Sequence, residues 1–184
     1  MDFTIPFSTA AEAVGAEVIR CKNREQAIAY LLDQLKGSVL CPDFASGKRI
    51  GLVEKLLQAG VKPICSDFRM QAASAAAGIT GANFGIANTG TIVLESSDEA
   101  TRLASTLPEQ HFILLDPAKI VSDGIAAVPH LRDLHQRDAR NYIAYITGPS
   151  RTADIERVLT IGVHGPKRLH ILLVSGISSD FMEN

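Results

Sequence analysis

The segment VIRCKNREQAIAYLLDQLKGSVLC, residues Val18–Cys41, contains a short apolar run, a helical pattern and a second short apolar run. Val18–Cys21 and Ser38–Cys41 have the length and composition of strands. Between them, Arg24–Lys36 has apolar residues at helical spacing, and Gly37 stands where helices often end in the left-handed conformation. A strand, a helix and a strand in this order are typical of two parallel strands joined by a crossover. The segment therefore predicts an α/β fold.

The same alternation continues towards both ends of the chain. We expect one three-layer α/β/α domain with a mostly parallel sheet over residues 1–184, with a short lead-in over residues 1–15. The glycine-rich stretch Gly78–Gly85 is interpreted as a connection, and Lys119–Leu134 as a strand-like start with a helix after Pro129. The other predicted strands are Val61–Cys65, Ile86–Leu94, His111–Leu115, Tyr142–Thr147 and Leu169–Val174, and the other predicted helices are Lys48–Ala59, Asp67–Ala77, Asp98–Leu107 and Thr152–Leu159.

Composition restricts the class of partner. The 184 residues are 46% hydrophobic, which suits one compact domain with its own core. Eighteen Lys and Arg residues against 20 Asp and Glu residues give a net charge of -2, so we expect neither nucleic acid nor a membrane as partner. No apolar run approaches the roughly 20 residues of a membrane span. Met1–Phe7 does not resemble a signal peptide, and we therefore expect a cytoplasmic protein.

The three cysteines, Cys21, Cys41 and Cys65, are odd in number and widely spaced. This pattern favours reduced thiols and matches no zinc or iron-sulfur ligand spacing. Each cysteine ends a predicted strand, at the edge where open α/β sheets bind ligands. Packing of small apolar thiols is the favoured interpretation, because thiol chemistry would need a basic or metal neighbour. The histidines also form no metal-binding pattern, so we predict no metal site. We predict no cofactor either, because Ser46–Arg49 is not a P-loop and Gly81–Gly85 lacks the G-x-G-x-x-G spacing.

The stretch Ile146–Glu156 runs from an apolar strand through a tight turn into a predicted helix. Backbone N–H groups at a helix start lack intrahelical partners. Together with the donors of Ser150, Arg151 and Thr152, and with close backbone approach at Gly148, they could bind a carboxylate or phosphate. The alternative is ordinary helix capping by Ser150 or Thr152, which would not require Arg151.

The loop His164-Gly165-Pro166-Lys167 precedes the last predicted strand. Gly165 would allow close approach to the backbone, and the imidazole of His164 could act as a general base or as a ligand-binding group. The alternative is that the loop is only a turn.

The triplet Thr89-Gly90-Thr91 lies within the predicted strand Ile86–Leu94, where a glycine often indicates a bulge or the close approach of another group. We therefore include Thr89, Gly90 and Thr91 among the candidate ligand-binding residues. Glu95 follows this strand and is a candidate catalytic carboxylate, although a solvated strand end would explain it equally well.

Three segments together resemble the LUD-domain lactate-utilisation family, typified by LutC and YkgG: Gly78–Thr91, Ile146–Glu156 and Gly162–Pro166. The resemblance covers roughly Ala16–Val174. It implies a fold similar to the NagB/RpiA/CoA-transferase-like superfamily and a role in oxidising L-lactate to pyruvate beside two partner subunits. It also implies that the iron-sulfur centres lie on those partners, which agrees with the scattered cysteines of this chain.

Three functions remain open at this point. The first is a non-redox component of a lactate-oxidising system, in which Arg151 and the Ser150/Thr152 turn hold a small anionic ligand and His164 acts as a base. The second is a stand-alone transferase or isomerase acting on a CoA ester or phosphorylated substrate, with Glu95 as nucleophile or base. The third is a non-catalytic scaffold module.

Overall fold

The computed structural model describes residues 2–137, 140–152 and 160–183. The strands in these ranges are β1 (Glu17–Cys21), β2 (Ser38–Leu40), β3 (Lys62–Ile64), β4 (Ala77–Gly81), β5 (Phe84–Ile86), β6 (Thr91–Glu95), β7 (Gln110–Leu115), β8 (Ile120–Val121), β9 (Ile143–Ile146), β10 (Arg151–Thr152), β11 (Thr160–Ile161) and β12 (Arg168–Val174). The α-helices are α1 (Thr4–Ala13), α2 (Arg24–Gln34), α3 (Ala45–Arg49), α4 (Leu52–Gln58), α5 (Phe68–Gln71), α6 (Glu99–Thr106) and α7 (Gly124–Arg137).

A six-stranded sheet forms the centre of the molecule, in the order β1-β12-β7-β4-β2-β3. Every neighbouring pair in it is parallel. Its middle strands are almost wholly buried, as expected for a parallel sheet covered on both faces. Residues of α2 and α4 belong to the apolar core of one face, and residues of α1 to the core of the other. The predicted α/β fold class is confirmed.

A second sheet, in the order β8-β5-β6-β9, contributes Ile92 to the core on the α1 side. In this sheet β6 is antiparallel to both β5 and β9, whereas β5 and β8 are parallel. The predicted strand Tyr142–Thr147 is thus present as β9, in this smaller sheet. Strands β10 and β11 form a separate antiparallel pair. None of the helices in the described ranges is long and apolar enough to span a bilayer.

The interpretation of Gly78–Gly85 as a connection is wrong, because this stretch contributes β4 and β5. Strand β4 is fully buried between β7 and β2. A side chain on Gly78 would overlap the backbone carbonyl of Ala104 in α6. Gly78 therefore permits close packing of a helix on the sheet, although the composition of the stretch Gly78–Gly85 resembles that of a loop.

The single predicted strand Ile86–Leu94 is also wrong, since β5 and β6 are two antiparallel strands joined by a turn. Gly90 lies in that turn with φ +63°, a left-handed conformation that favours glycine. Thr89 and Gly90 thus lie in the turn, and Thr91 begins β6.

Three predicted helices differ in the structure. Lys48–Ala59 is divided into α3 and α4 at Gly51, which has φ +64°. Asp67–Ala77 contains only the short α5 and one 3₁₀ turn before β4 begins. Helix α7 begins at Gly124, before Pro129, because Asp123 Oδ1 accepts from the backbone N–H groups of residues 125 and 126.

Candidate functional site

Two loops lie face to face beside the amino ends of β7 and β12. One is the turn Thr147–Ser150 after β9, and the other is the loop His164–Pro166 before β12. The Ser150 N–H donates to the Pro166 carbonyl at 2.9 Å, and the Gly162 N–H donates to the Ser150 carbonyl at 2.9 Å. A Cβ on Gly165 would lie 3.0 Å from Ser150 Cβ, so a glycine lets the loops approach this closely.

The loops form the walls of a cleft of about 210 Å³. We call it the amino-edge cleft, and it is lined by Ser105–Thr106, His111, Tyr145–Ser150, His164–Pro166 and Leu169. Four of the residues predicted as site residues therefore meet here: Gly148, Ser150, His164 and Gly165.

The first turn is held in place by α1. Gly148 has φ +77°, and a side chain there would overlap the carbonyl of Val14 at the end of α1. The Arg151 guanidinium donates to the same carbonyl and lies against Gly15. Arg151 thus contacts α1 and is not among the residues that line the cleft.

Thr152 lies in strand β10, paired with Thr160, so the helix predicted over Thr152–Leu159 does not begin at Thr152. The remainder of that prediction, residues 153–159, lies outside the described residues. Pairing between β10 and β11 competes for the backbone groups that a helix start would leave exposed.

A chain of threonine hydroxyls connects the cleft with the turn between β5 and β6. Thr147 Oγ1, in the cleft lining, is 2.9 Å from Thr91 Oγ1, and Thr91 Oγ1 is 2.7 Å from Thr89 Oγ1. A side chain on Gly90 would overlap the backbone of Ala11 in α1. The predicted residues Thr89, Gly90 and Thr91 thus do not line the cleft themselves but contact its wall through Thr147.

Glu95 lies at the far end of β6. It pairs with Ile143, whereas Ile92 pairs with Ile146 beside the cleft, so Glu95 is roughly 10 Å further along the strand. Its Oε1 accepts from the Ser97 N–H at 2.8 Å, and its own N–H donates to Asn83 Oδ1 at 2.7 Å. The structure does not bring Glu95 and His164 into one site.

His111 is a cleft residue that the sequence analysis missed. It begins the apolar run of β7 and is only 1% exposed. Its Nε2 is 2.9 Å from Thr80 Oγ1, while its buried Nδ1 has no hydrogen-bond partner among residues 2–137, 140–152 and 160–183. Burial, with a smaller effect of His170, lowers the pKa of His111 to about 3, so the ring is neutral. A lone histidine within an apolar run resembles a core residue, so no local signal marked it.

An exposed ion pair involves Lys167, which follows the cleft residue Pro166 in the chain, although neither member of the pair lines the cleft. Lys167 Nζ is 2.6 Å from Glu109 Oε1, and both side chains are largely exposed. The hydrogen bond and charge of Lys167 lower the pKa of Glu109, which keeps that carboxylate ionised. The charge of Lys167 is thus compensated by that of Glu109.

The cysteines occupy the predicted carboxyl ends of β1, β2 and β3 and are free thiols. Burial raises the pKa of all three, and that of Cys41 to about 12. The thiols are thus protonated at neutral pH, which agrees with a packing role. Within the described ranges, no three His, Cys, Asp or Glu residues are grouped so that they could hold a metal ion.

The segment Ile177–Glu183 covers part of the carboxyl edge of the sheet, beside the end of β7. Asp116 Oδ2 accepts from the Ile177 and Ser178 N–H groups at 2.9 and 3.1 Å. Glu183 forms a fully buried ion pair with Lys119. The chain itself thus fills part of the edge where open α/β sheets usually bind ligands. Cavities of about 350 and 590 Å³ remain there, beside Cys41 and Cys65 and beside Cys21 and Leu173, and the candidate site lies at the opposite edge.

Comparison with known proteins places the same segments in a family. The LUD domain family matches residues 6–174. Lactate utilization protein C from Bacillus subtilis is 37% identical over 107 residues, which is 57% of this chain and 45% of that protein. A protein of Neisseria meningitidis is 42% identical over 98 residues, 53% of this chain and 42% of its own length. YkgG from Escherichia coli is 35% identical over 106 residues, 56% and 46% of the two chains. The matched region thus spans about half the length of these relatives.

A solved structure confirms the fold. The crystal structure of a DUF162 family protein from Deinococcus radiodurans has a TM-score of 0.66 and 20% sequence identity to this chain. The superposition covers 94% of this chain and 96% of that one. At this identity the likeness concerns the fold alone.

Proposed function

Because the chain belongs to the LUD domain family, we propose that it is a non-redox component of an L-lactate utilisation system and binds a small organic acid in the amino-edge cleft. The relatives named Lactate utilization protein C support the metabolic assignment. Electron transfer is assigned to iron-sulfur partner subunits. This division of roles is supported by the cysteines, because the chain has three of them whereas iron-sulfur clusters usually take four. Cys41 and Cys65 follow neighbouring strands, but three strands separate Cys21 from Cys41 in the central sheet.

The choice of this cleft as the binding site rests on one observation. Gly148 and Ser150 on one loop, and His164 and Gly165 on the other, lie around a single space although up to 17 positions separate them in the chain. One backbone hydrogen bond, from Ser150 to Pro166, joins the loops directly, and a second joins Ser150 to Gly162 just before the second loop. Loops positioned by a rigid sheet are typical of binding sites.

The polar groups of the cleft suit a carboxylate. Ser150 supplies a hydroxyl donor, and His164 supplies an exposed imidazole at the opening. A hydrogen bond to a charged carboxylate is stronger than one between neutral groups. The hydroxyl of Thr147 is hydrogen-bonded to Thr91, which holds it in one orientation at the cleft wall. In this proposal His164 is also the base that takes a proton from the bound hydroxy acid.

The proposal is tested by isothermal titration calorimetry of the purified chain with L-lactate. We expect saturable binding that His164→Ala weakens about tenfold or more, because losing a hydrogen bond to a charged group costs about 1.5–3 kcal/mol. His135→Ala is the matched control, since His135 is exposed on α7 and should leave the affinity unchanged. Absence of saturable binding, or equal affinities of the two variants, would overturn the ligand assignment.

The partner assignment is tested by affinity purification from cells grown on lactate. An iron-sulfur subunit should accompany the wild-type chain, and repeated purification without any such subunit would remove that part of the proposal.

A further inference from the structure

His111 is the buried polar group of the amino-edge cleft whose hydrogen bonding is incomplete. It contributes to the cleft lining and is 1% exposed. Thr80 Oγ1 lies 2.9 Å from Nε2 on the side facing β4, whereas Nδ1 has no partner within the described part of the chain. A buried polar atom without a partner costs free energy that an apolar side chain of similar size would avoid. In the lining of the cleft, Nδ1 of His111 is thus a buried polar atom that a molecule bound there could pair with.

The charge of the ring determines the kind of partner. Burial keeps His111 neutral, with a pKa of about 3, so it does not act as a counter-ion for a carboxylate. A neutral imidazole has one N–H donor and one acceptor nitrogen. The Thr80 hydroxyl can donate to Nε2 or accept from it, so Nδ1 is free to be a donor or an acceptor. Such a nitrogen suits an uncharged oxygen, either a hydroxyl or a ketone.

We infer that His111 is a specificity-determining residue of the cleft, whose Nδ1 hydrogen-bonds the oxygen at position 2 of a 2-hydroxy or 2-oxo acid. This inference rests on the proposed function, in which the cleft holds the carboxylate of such an acid. The hydroxyl-bearing loops bind the carboxylate, and His111 distinguishes the substituted acid from an unsubstituted acid of similar size. A site with a buried hydrogen-bonding group rejects a ligand that leaves this group unpaired.

Calorimetry with L-lactate and with propionate, which lacks only the hydroxyl, tests the inference. We expect the wild-type chain to bind lactate at least tenfold more tightly than propionate. His111→Gln places its amide near the position of Nε2, so it keeps the contact with Thr80 and removes the nitrogen at Nδ1. This variant should lose at least tenfold in lactate affinity and change propionate affinity less than threefold.

His111→Asn is the matched variant, because its amide lies near the position of Nδ1. It should retain the preference for lactate, and circular dichroism should show that both variants are folded. Equal binding of lactate and propionate by the wild-type chain would overturn the role of His111 and leave the proposed function intact. Equal discrimination by both variants would also overturn it. Binding of neither acid would overturn the proposed function and the inference together.

Discussion

At the scale of single residues, Lys119 and Glu183 form an ion pair with Nζ and Oε2 2.7 Å apart and side chains 1% and 0% exposed. Glu183 Oε1 also accepts from the Ser46 N–H. Glu183→Gln would leave the Lys119 charge buried and uncompensated, so we expect the free energy of unfolding to fall by about 3–5 kcal/mol. Asp43→Asn is the control: it breaks an exposed pair with Lys48, 2.6 Å apart, and should cost less than about 1 kcal/mol. Urea unfolding curves measure both, and similar losses would contradict the argument.

At the scale of elements, α6 packs closely on β4 because Gly78 has no side chain to meet the carbonyl of Ala104. A backbone atom cannot move away as a flexible side chain can, so Gly78→Ala should lower the free energy of unfolding by about 1–3 kcal/mol. It should also weaken acid binding, since the end of α6 supplies part of the cleft lining. In Gly124→Ala the added methyl group meets nothing within 4 Å, and stability should stay within about 1 kcal/mol of wild type. Urea unfolding and calorimetry compare the stability and the acid affinity of the two variants. Equal values for Gly78→Ala and Gly124→Ala would show that α6 can shift without cost.

At the scale of the whole molecule, the central sheet holds His111 and His170 buried on neighbouring strands. Burial lowers the pKa of His111 from 6.5 to about 3, and it lowers that of His170 as well. Below pH 6.5 the unfolded chain binds a proton at this histidine, whereas the folded chain does not. The contribution of His111 to the free energy of unfolding is therefore full above pH 6.5 and falls as the pH drops towards 3. For His111 the loss approaches about 1.4 kcal/mol per pH unit. His111→Gln should therefore lose less stability than wild type between pH 6.5 and pH 4.5 in urea unfolding series, and an equal loss would contradict the argument.

Local signals predicted a large part of the fold. The helix α2 was predicted correctly, as were β7, β12 and α6. Gly37 has the expected positive φ, but α2 ends earlier, at Gln34, and Leu35 is its C-cap in an extended conformation. In each case the information lies within one turn or one strand: helical spacing, a capping residue or a short apolar run. The same kind of signal identified the loops of Ser150 and His164, because glycine and proline mark turns wherever the chain is placed.

The other features of the fold depend on long-range contacts, because a local sequence pattern does not show which distant residues will pack against it. Gly78 was interpreted as part of a loop because only the position of α6 shows why β4 needs a glycine there. Lys119 and Glu183 are separated by 64 positions, and only the fold places the two charges together.

The sequence by itself determined that this is an α/β protein and that two polar loops are its candidate binding segments. Tertiary structure alone decided that these loops meet at the amino edge of the parallel sheet, with His111 in the lining between them and Glu95 elsewhere. The physical reason is that periodicity and turn chemistry act over a few residues, whereas a binding cleft is formed by side chains that only packing brings within hydrogen-bond distance.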